Sequence, residues 1–289
     1  MTLVSATARR PVVIFLAMIT ISGAATATDN KGSAQQLMRE VVNTEVKSAD
    51  SDHSHWMYRQ HDVEPNKDIV QECVQTAEGE ICRHLEQNGH PLTGSEQQQE
   101  QKRIHGLLSN PDQERKAQRA RNHDGDQAVR MLKMLPDAFN YSDDGQDGGY
   151  LRLKFEPNPD FDPPTREARV FYAMRGTVLV DPKSKRLVQL KGKLFKDVEF
   201  GWGLLGKLYQ GGTFLVKRAD VGEGHWDTTL LDVDIHGKAL FFHTINAQQR
   251  EVTTEYKKVS DGLTLSQGAS LLLSPNSQGK PTVAASGGK

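Results

Sequence analysis

Residues able to do chemistry are present in this chain, but none falls into a catalytic spacing. His53, His55 and His61 lie close together. No H-E-x-x-H or equivalent pattern accompanies them, so they read as surface histidines and not as a metal site. No G-x-S-x-G elbow occurs, which removes the usual serine-hydrolase signature. Asp and Glu are plentiful without a pairing that singles out a glycosidase. Gly201, Gly203, Gly206, Gly211 and Gly212 form a glycine cluster. It lacks the Lys-Ser/Thr pair of a phosphate loop and the strand–turn–helix setting of a dinucleotide fingerprint. A bend in a strand, where glycine allows close approach, is the simpler reading. No cofactor and no enzyme activity are expected.

Cys73 and Cys82 are the only two cysteines. They lack the C-x-x-C spacing of a redox enzyme. Residues 69–75 and 80–86 can pair as a hairpin around residues 76–79. In that register Cys73 faces Cys82, Val74 faces Ile81 and Val70 faces Leu85. Strand side chains alternate, so the four apolar residues share one face and the cysteines the other. A disulfide is expected in an oxidising compartment; two free thiols packed as small hydrophobes are the alternative.

The elements that would position these residues follow from periodicity. Residues 33–47 predict a helix, with Ser33 and Gln36 as a capping box and Leu37, Met38, Val41, Val42 and Val46 at helical spacing. Residues 55–60 predict an aromatic strand. Residues 94–135 are rich in Gln, Glu, Lys and Arg and predict a helical insertion. Thr93 with Glu96 caps its first helix, and Asn110-Pro111 starts its second. From Tyr150 to Val259 the pattern is of strands: 150–155, a long strand 168–180, and a return strand with Val188, Leu190 and Leu194 on one face. Strands at 214–217, 226–235, 239–246 and 251–259 follow, with turns at 222–224, 236–237 and 247–248. Residues 261–273 add a small helix. Short connections imply antiparallel neighbours. The fold class is therefore α+β: a large curved antiparallel sheet, a half or partial β-barrel, with an N-terminal helix and a helical insertion.

The first residues read as a secretory signal over 1–27: Arg9 and Arg10, an apolar stretch from Pro11 to Gly23, and Ala25-Thr26-Ala27 before the cleavage point. The apolar run is shorter than the ~20 residues that cross a bilayer. The mature chain is expected to be periplasmic or secreted, without a membrane span. One domain is expected over 28–273 and a disordered Ser/Gly/Pro-rich tail over 274–289. Lys plus Arg number 36 against 37 Asp plus Glu, which argues against a nucleic-acid partner. The mean hydropathy of -0.59 implies a water-facing surface.

The segment Arg175-Gly176-Thr177-Val178-Leu179-Val180-Asp181-Pro182, followed by Arg186-Leu187-Val188, resembles the glycine-to-aspartate hairpin of the outer-membrane lipoprotein carrier and receptor fold. Residues 197–206, the HSHWMYR of 53–59, the PLT of 91–93, the MLPDAF of 134–139 and the Pro-rich loop 157–164 are similar to an uncharacterised group of exported bacterial proteins. The carrier resemblance implies an unclosed barrel, lidded by helices, whose apolar concavity holds acyl chains. No carrier ligand residue maps onto a position here. From the residues themselves, the scarce aromatics of the sheet half either pack the core or line a cavity. The candidate ligand-binding set is Trp202, Phe200, Leu204, Phe214 and Phe241. A non-enzymatic protein binding a lipid or other hydrophobic ligand is the expectation. An envelope interaction module with a filled core, its charged helices contacting a protein partner, is the rival. An unrecognised hydrolase is the third reading.

Overall fold

The structure is a computed structural model that describes residues 26–200, 206–239 and 243–274. Among these residues one 13-stranded antiparallel sheet dominates, and it is curved and open. The expected fold class holds. Residues 1–25 of the expected signal segment 1–27, and residues 275–289 of the expected tail, lie outside the described residues.

Helix α1 (Thr26–Ser51) leads into strands β1 (His55–Glu64), β2 (Lys67–Thr76), β3 (Gly79–Gln87) and the short β4 (His90–Pro91). Helices α2 (Gly94–Ser109) and α3 (Pro111–Ala138) then carry the chain to the opposite sheet edge. From there β5 (Phe139–Asp147), β6 (Tyr150–Pro157), β7 (Met174–Val180), β8 (Leu187–Leu194), β11 (Thr213–Gly222), β12 (His225–Ala239) and β13 (His243–Val259) meander back. The pairing of β13 with β1 joins the two runs. Strands β9 (Val198–Phe200) and β10 (Gly206–Leu208) pair with each other, β10 also pairing with the far end of β12, and α4 (Leu265–Leu273) closes the described chain.

The caps act where local chemistry places them. Thr93 and Glu96 form the expected capping box on α2, and Thr264 with Gln267 forms another on α4. Helix α1 starts before Ser33, so that residue lies inside the helix and does not cap it. Its stripe of Ala34, Met38, Val41 and Val42 packs with Phe139, Tyr141, Phe155, Val178 and Phe214 into the main core. Gly176 and Gly192 face each other across β7 and β8, and Phe214 lies over Gly192. A Cβ on Gly176 would meet the Lys191 carbonyl oxygen at 2.0 Å, so this close crossing demands glycine.

A second cluster sits on the other face of β1–β3, where Val74 and Ile81 meet Ile104 of α2 and Leu265, Ala269 and Leu272 of α4. Gly268 allows that approach; a Cβ there would lie 2.9 Å from Thr76 Cγ2.

Several expected boundaries are corrected. The long strand over 168–180 is a 3-10 helix, Glu167–Ala173, followed by β7. Ala168 and Phe171 are buried three residues apart, the spacing of one turn of such a helix, and Ala173 is buried at its end. The turns expected at 236–237 and 247–248 are not turns: β12 and β13 pair continuously from Leu230 with Val252 to Ala239 with His243. Gly237 belongs to the ladder, paired with Leu208 of β10 on one side and Ile245 of β13 on the other, and a Cβ there would lie 2.4 Å from the Lys207 carbonyl oxygen. The 222–224 turn holds, with positive φ at Glu223 and Gly224 in a two-residue hairpin loop. Val70 pairs with Glu86 instead of Leu85, because a register shift intervenes before Gln71. The β2–β3 loop is also tighter than expected, since Thr76 already pairs with Gly79.

Candidate functional site

Directly paired residues of an antiparallel ladder share a face, so the register reads out the face on which α1 lies. Its composition changes steadily across the sheet. On β5 to β8 it carries Tyr141, Phe155, Leu153, Val178 and Leu190, which pack the main core. On β11 and β12 it carries Val216, Leu231 and Val233, all of intermediate exposure. On β13 it becomes Gln249, Glu251 and Thr253, and on β1 it becomes Tyr58, Gln60 and Asp62. Asp62 and Thr253 are buried there, at 5% exposure each.

This polar band is acidic and internally bonded. The Tyr58 hydroxyl donates to the Glu80 carboxylate, Gln249 Nε2 donates to Asp62 Oδ1 at 3.3 Å, and Lys67 pairs with Asp62. Burial pushes the Glu251 carboxyl above the usual range; Gln60 opposes this, while Asp62, Glu80 and Asp227 add to it. Burial likewise raises the phenols of Tyr58 and Tyr256, with nearby carboxylates reinforcing it.

At the end of α1 a second polar group ties the helix to the sheet. Glu45 is almost fully buried and sits on the apolar stripe of α1, one turn after Val41. It accepts from Arg186 Nε at 3.0 Å, Arg186 Nη2 at 3.1 Å, the Leu187 backbone N–H at 2.8 Å and the Arg218 guanidinium. A carboxylate has about four lone-pair sites, and all are used. Arg186 also donates to Ser48 and lies over the Trp226 ring, 5.2 Å from its centroid.

Beside this cluster, His225 Nδ1 is 2.6 Å from Asp52 Oδ2, and its Nε2 is 3.8 Å from Asp227 Oδ2. Trp56 stacks on the imidazole at 4.9 Å. Ser54 Oγ donates to Asp52 and accepts from Trp56 Nε1. The hydroxyl therefore meets the carboxylate and not the imidazole, the reverse of the nucleophile–base order that activates a serine.

The sequence-derived candidates do not form one group here. Trp202, Leu204 and Phe241 lie outside the described residues. Phe214 is in the main core at 8% exposure, whereas Phe200 packs against the separate cluster of Ala173, Leu194 and Val198. Cys73 and Cys82 form the expected disulfide between β2 and β3. Together with Glu80 they make a group of three potential metal-binding side chains, but the disulfide occupies both sulfurs. His61 pairs with Asp68 at 2.8 Å, and His53 and His55 line a surface hollow beside Glu80.

Sequence reasoning gave no site role to Glu45, Arg186 or Arg218; Arg186 entered only as part of the hairpin resemblance. The available signal was a glutamate at a stripe position of an amphipathic helix. No helix among the described residues is long and apolar enough to cross a membrane. No protein-family model matches the chain, and no curated protein matches it.

Proposed function

We propose that this is an exported, non-catalytic binding protein that holds an amphiphilic ligand on the α1 face of its open sheet. One observation carries the reading: partly exposed Val216, Leu231 and Val233 lie directly beside the polar band of Glu251, Thr253 and Gln60. An acyl chain would lie on the aliphatic strip, where each buried CH₂ contributes about 0.8 kcal/mol. Phe214, one of the candidate ligand residues, borders that strip. The carboxylates of the band favour a cationic or hydroxylated head over an anionic one. An open curved sheet is also what the carrier resemblance implies, and it supports the same reading by analogy alone.

The test is titration of the full chain with two fluorescent acyl probes, one bearing an ammonium head and one a carboxylate. Saturable binding that prefers the ammonium probe, and that weakens at least tenfold in Leu231→Asp with the fold intact, is the expected result. Absence of saturable binding by either probe would overturn it. The interaction-module reading would then lead, since Met38, Phe139 and Phe155 already fill the space under α1 with side chains.

A further inference from the structure

On the opposite face of the sheet, the one that carries α4, charges of alternating sign stand on four neighbouring strands. Arg59 of β1 pairs with Glu72 of β2, and Glu72 pairs with Arg83 of β3. On the other side of Arg59, the register of β13 shifts, and Glu255 there adopts a φ of 58°. A non-glycine residue in the left-handed region inside a central strand is unusual, and such bulges commonly re-aim side chains at sites of function. These four residues line a cleft of about 350 Å³, walled by Leu85 and Leu92 and by Leu273 of α4.

Most ionic groups around the cleft are engaged. Arg59 holds Glu86 at 2.8 Å. Arg103 forks onto Glu100 and donates to the Cys82 carbonyl oxygen, while Glu100 accepts from the His84 backbone N–H, so α2 satisfies the edge of β3. Glu72 and Arg83 are the exception. They face each other directly across the ladder, where opposite charges ordinarily bridge. Yet Glu72 Oε2 and Arg83 Nε are both buried and have no hydrogen-bond partner. Neither residue holds an ion-pair partner among the described residues and both line the cleft, so a ligand there can supply a donor to Glu72 and an acceptor to Arg83 through their remaining polar atoms.

The chemistry narrows that partner. A simple anion would meet Glu72, Glu86, Glu100 and Glu255, and a simple cation would meet Arg59 and Arg83. A group carrying both charges, with an apolar body for the leucine wall, meets neither objection. The volume lies at the small end of ligand clefts, roughly 300–1,000 Å³, which suits a small molecule better than a folded partner.

We propose that this cleft binds a short apolar peptide as its zwitterion, with its carboxylate on Arg83, its ammonium on Glu72 and Glu255, and its side chains against Leu85, Leu92 and Leu273. This site is independent of the amphiphile surface on the other face. Calorimetric titration of the full chain with the dipeptide Leu-Leu, its N-acetyl form and its C-terminal amide tests it.

Saturable binding of Leu-Leu that falls at least tenfold on capping either end is expected. Glu72→Gln should weaken Leu-Leu and erase its advantage over the N-acetyl form, while keeping its advantage over the amide. Arg83→Gln should do the converse. The capped peptides on the unaltered protein need no variant to fold. No saturable heat with Leu-Leu, or equal binding of all three peptides, would overturn the proposal.

Discussion

Two Glu–Arg sites in the same sheet are built alike in residue type and opposite in satisfaction. Glu45 meets Arg186 and Arg218 on the α1 face with all its acceptor sites filled, whereas Glu72 and Arg83 oppose each other on the α4 face and leave buried polar atoms unpaired. Burying a charge is unfavourable unless hydrogen bonds replace its water. The first site meets that condition, and it connects α1 to Arg186, just before β8, and to Arg218 of β11 across 141 and 173 residues of chain. The second does not, which separates a clamp from a binding surface. Residue identity alone cannot make that distinction; coordination does.

The largest expected effect tests the clamp. Glu45→Ala strands two guanidiniums against the core and should destabilise the protein by about 3–5 kcal/mol, the range for breaking a buried ion pair. Urea denaturation measures it, and a loss below about 1 kcal/mol would dissolve the contrast between the two sites.

The disulfide comes next, because it locks the strands on which Glu72 and Arg83 face each other. Replacing both Cys73 and Cys82 with Ala should cost about 2–3 kcal/mol, or roughly 5–10 °C in Tm. Hydrogen exchange should localise the loosening to β2 and β3 and leave the α1 clamp protected. Uniform loss of protection would show that the two regions unfold as one unit.

A smaller effect concerns pH at the foot of α1. The Asp227 carboxylate, 3.8 Å from Nε2, holds the His225 imidazole above its ordinary value against the pull of burial, and the Asp52 carboxylate on Nδ1 adds to the rise. A raised histidine stabilises fully below its unfolded value near 6.5, and that contribution fades as pH rises through the folded value. Burial opposes ionisation of Asp52, but hydrogen bonds with His225 and Ser54 outweigh it and bring its pKa down to about 2. Its contribution is present above 3.8 and fades as pH falls through about 2. Denaturation midpoints of wild type and His225→Gln should therefore differ most from pH 4 to 6.5 and converge at alkaline pH. A constant difference from pH 5 to 9 would show that the imidazolium adds nothing to the contact with Asp52.

The smallest expected effect is the most diagnostic of the second site. Burial holds the Glu72 carboxyl above the usual range, with Arg83 only partly opposing it. A carboxylate raised in the folded state weakens the fold at neutral pH, and the penalty is relieved on acidification. Glu72→Gln should thus leave stability unchanged or raise it, by less than about 1 kcal/mol. Destabilisation of several kcal/mol would make Glu72 a second clamp and not a binding group.

What could be read from the sequence was what short-range physics encodes. Residues nine apart place Cys73 opposite Cys82, because alternation in a hairpin leaves little choice of register. Thr93 and Glu96 start α2 through their own backbone bonds, and Pro111 begins α3. The strand-rich stretch beyond residue 150, with its short connections, determined an antiparallel sheet. Where local signals misled, a neighbouring element had overruled them: the 3-10 helix over 167–173 buries Ala168 and Phe171 against the core, and Gly237 stays in a strand because β10 and β13 both pair with it.

Only the tertiary structure decided which charges meet. The β1–β13 pairing sets Asp62 beside Glu251, and the packing of α1 brings Glu45 to two arginines far away in sequence. Glutamates and arginines are common throughout the chain and carry no periodic signal. Their partners are chosen by long-range closure of the sheet, a choice that no local spacing records.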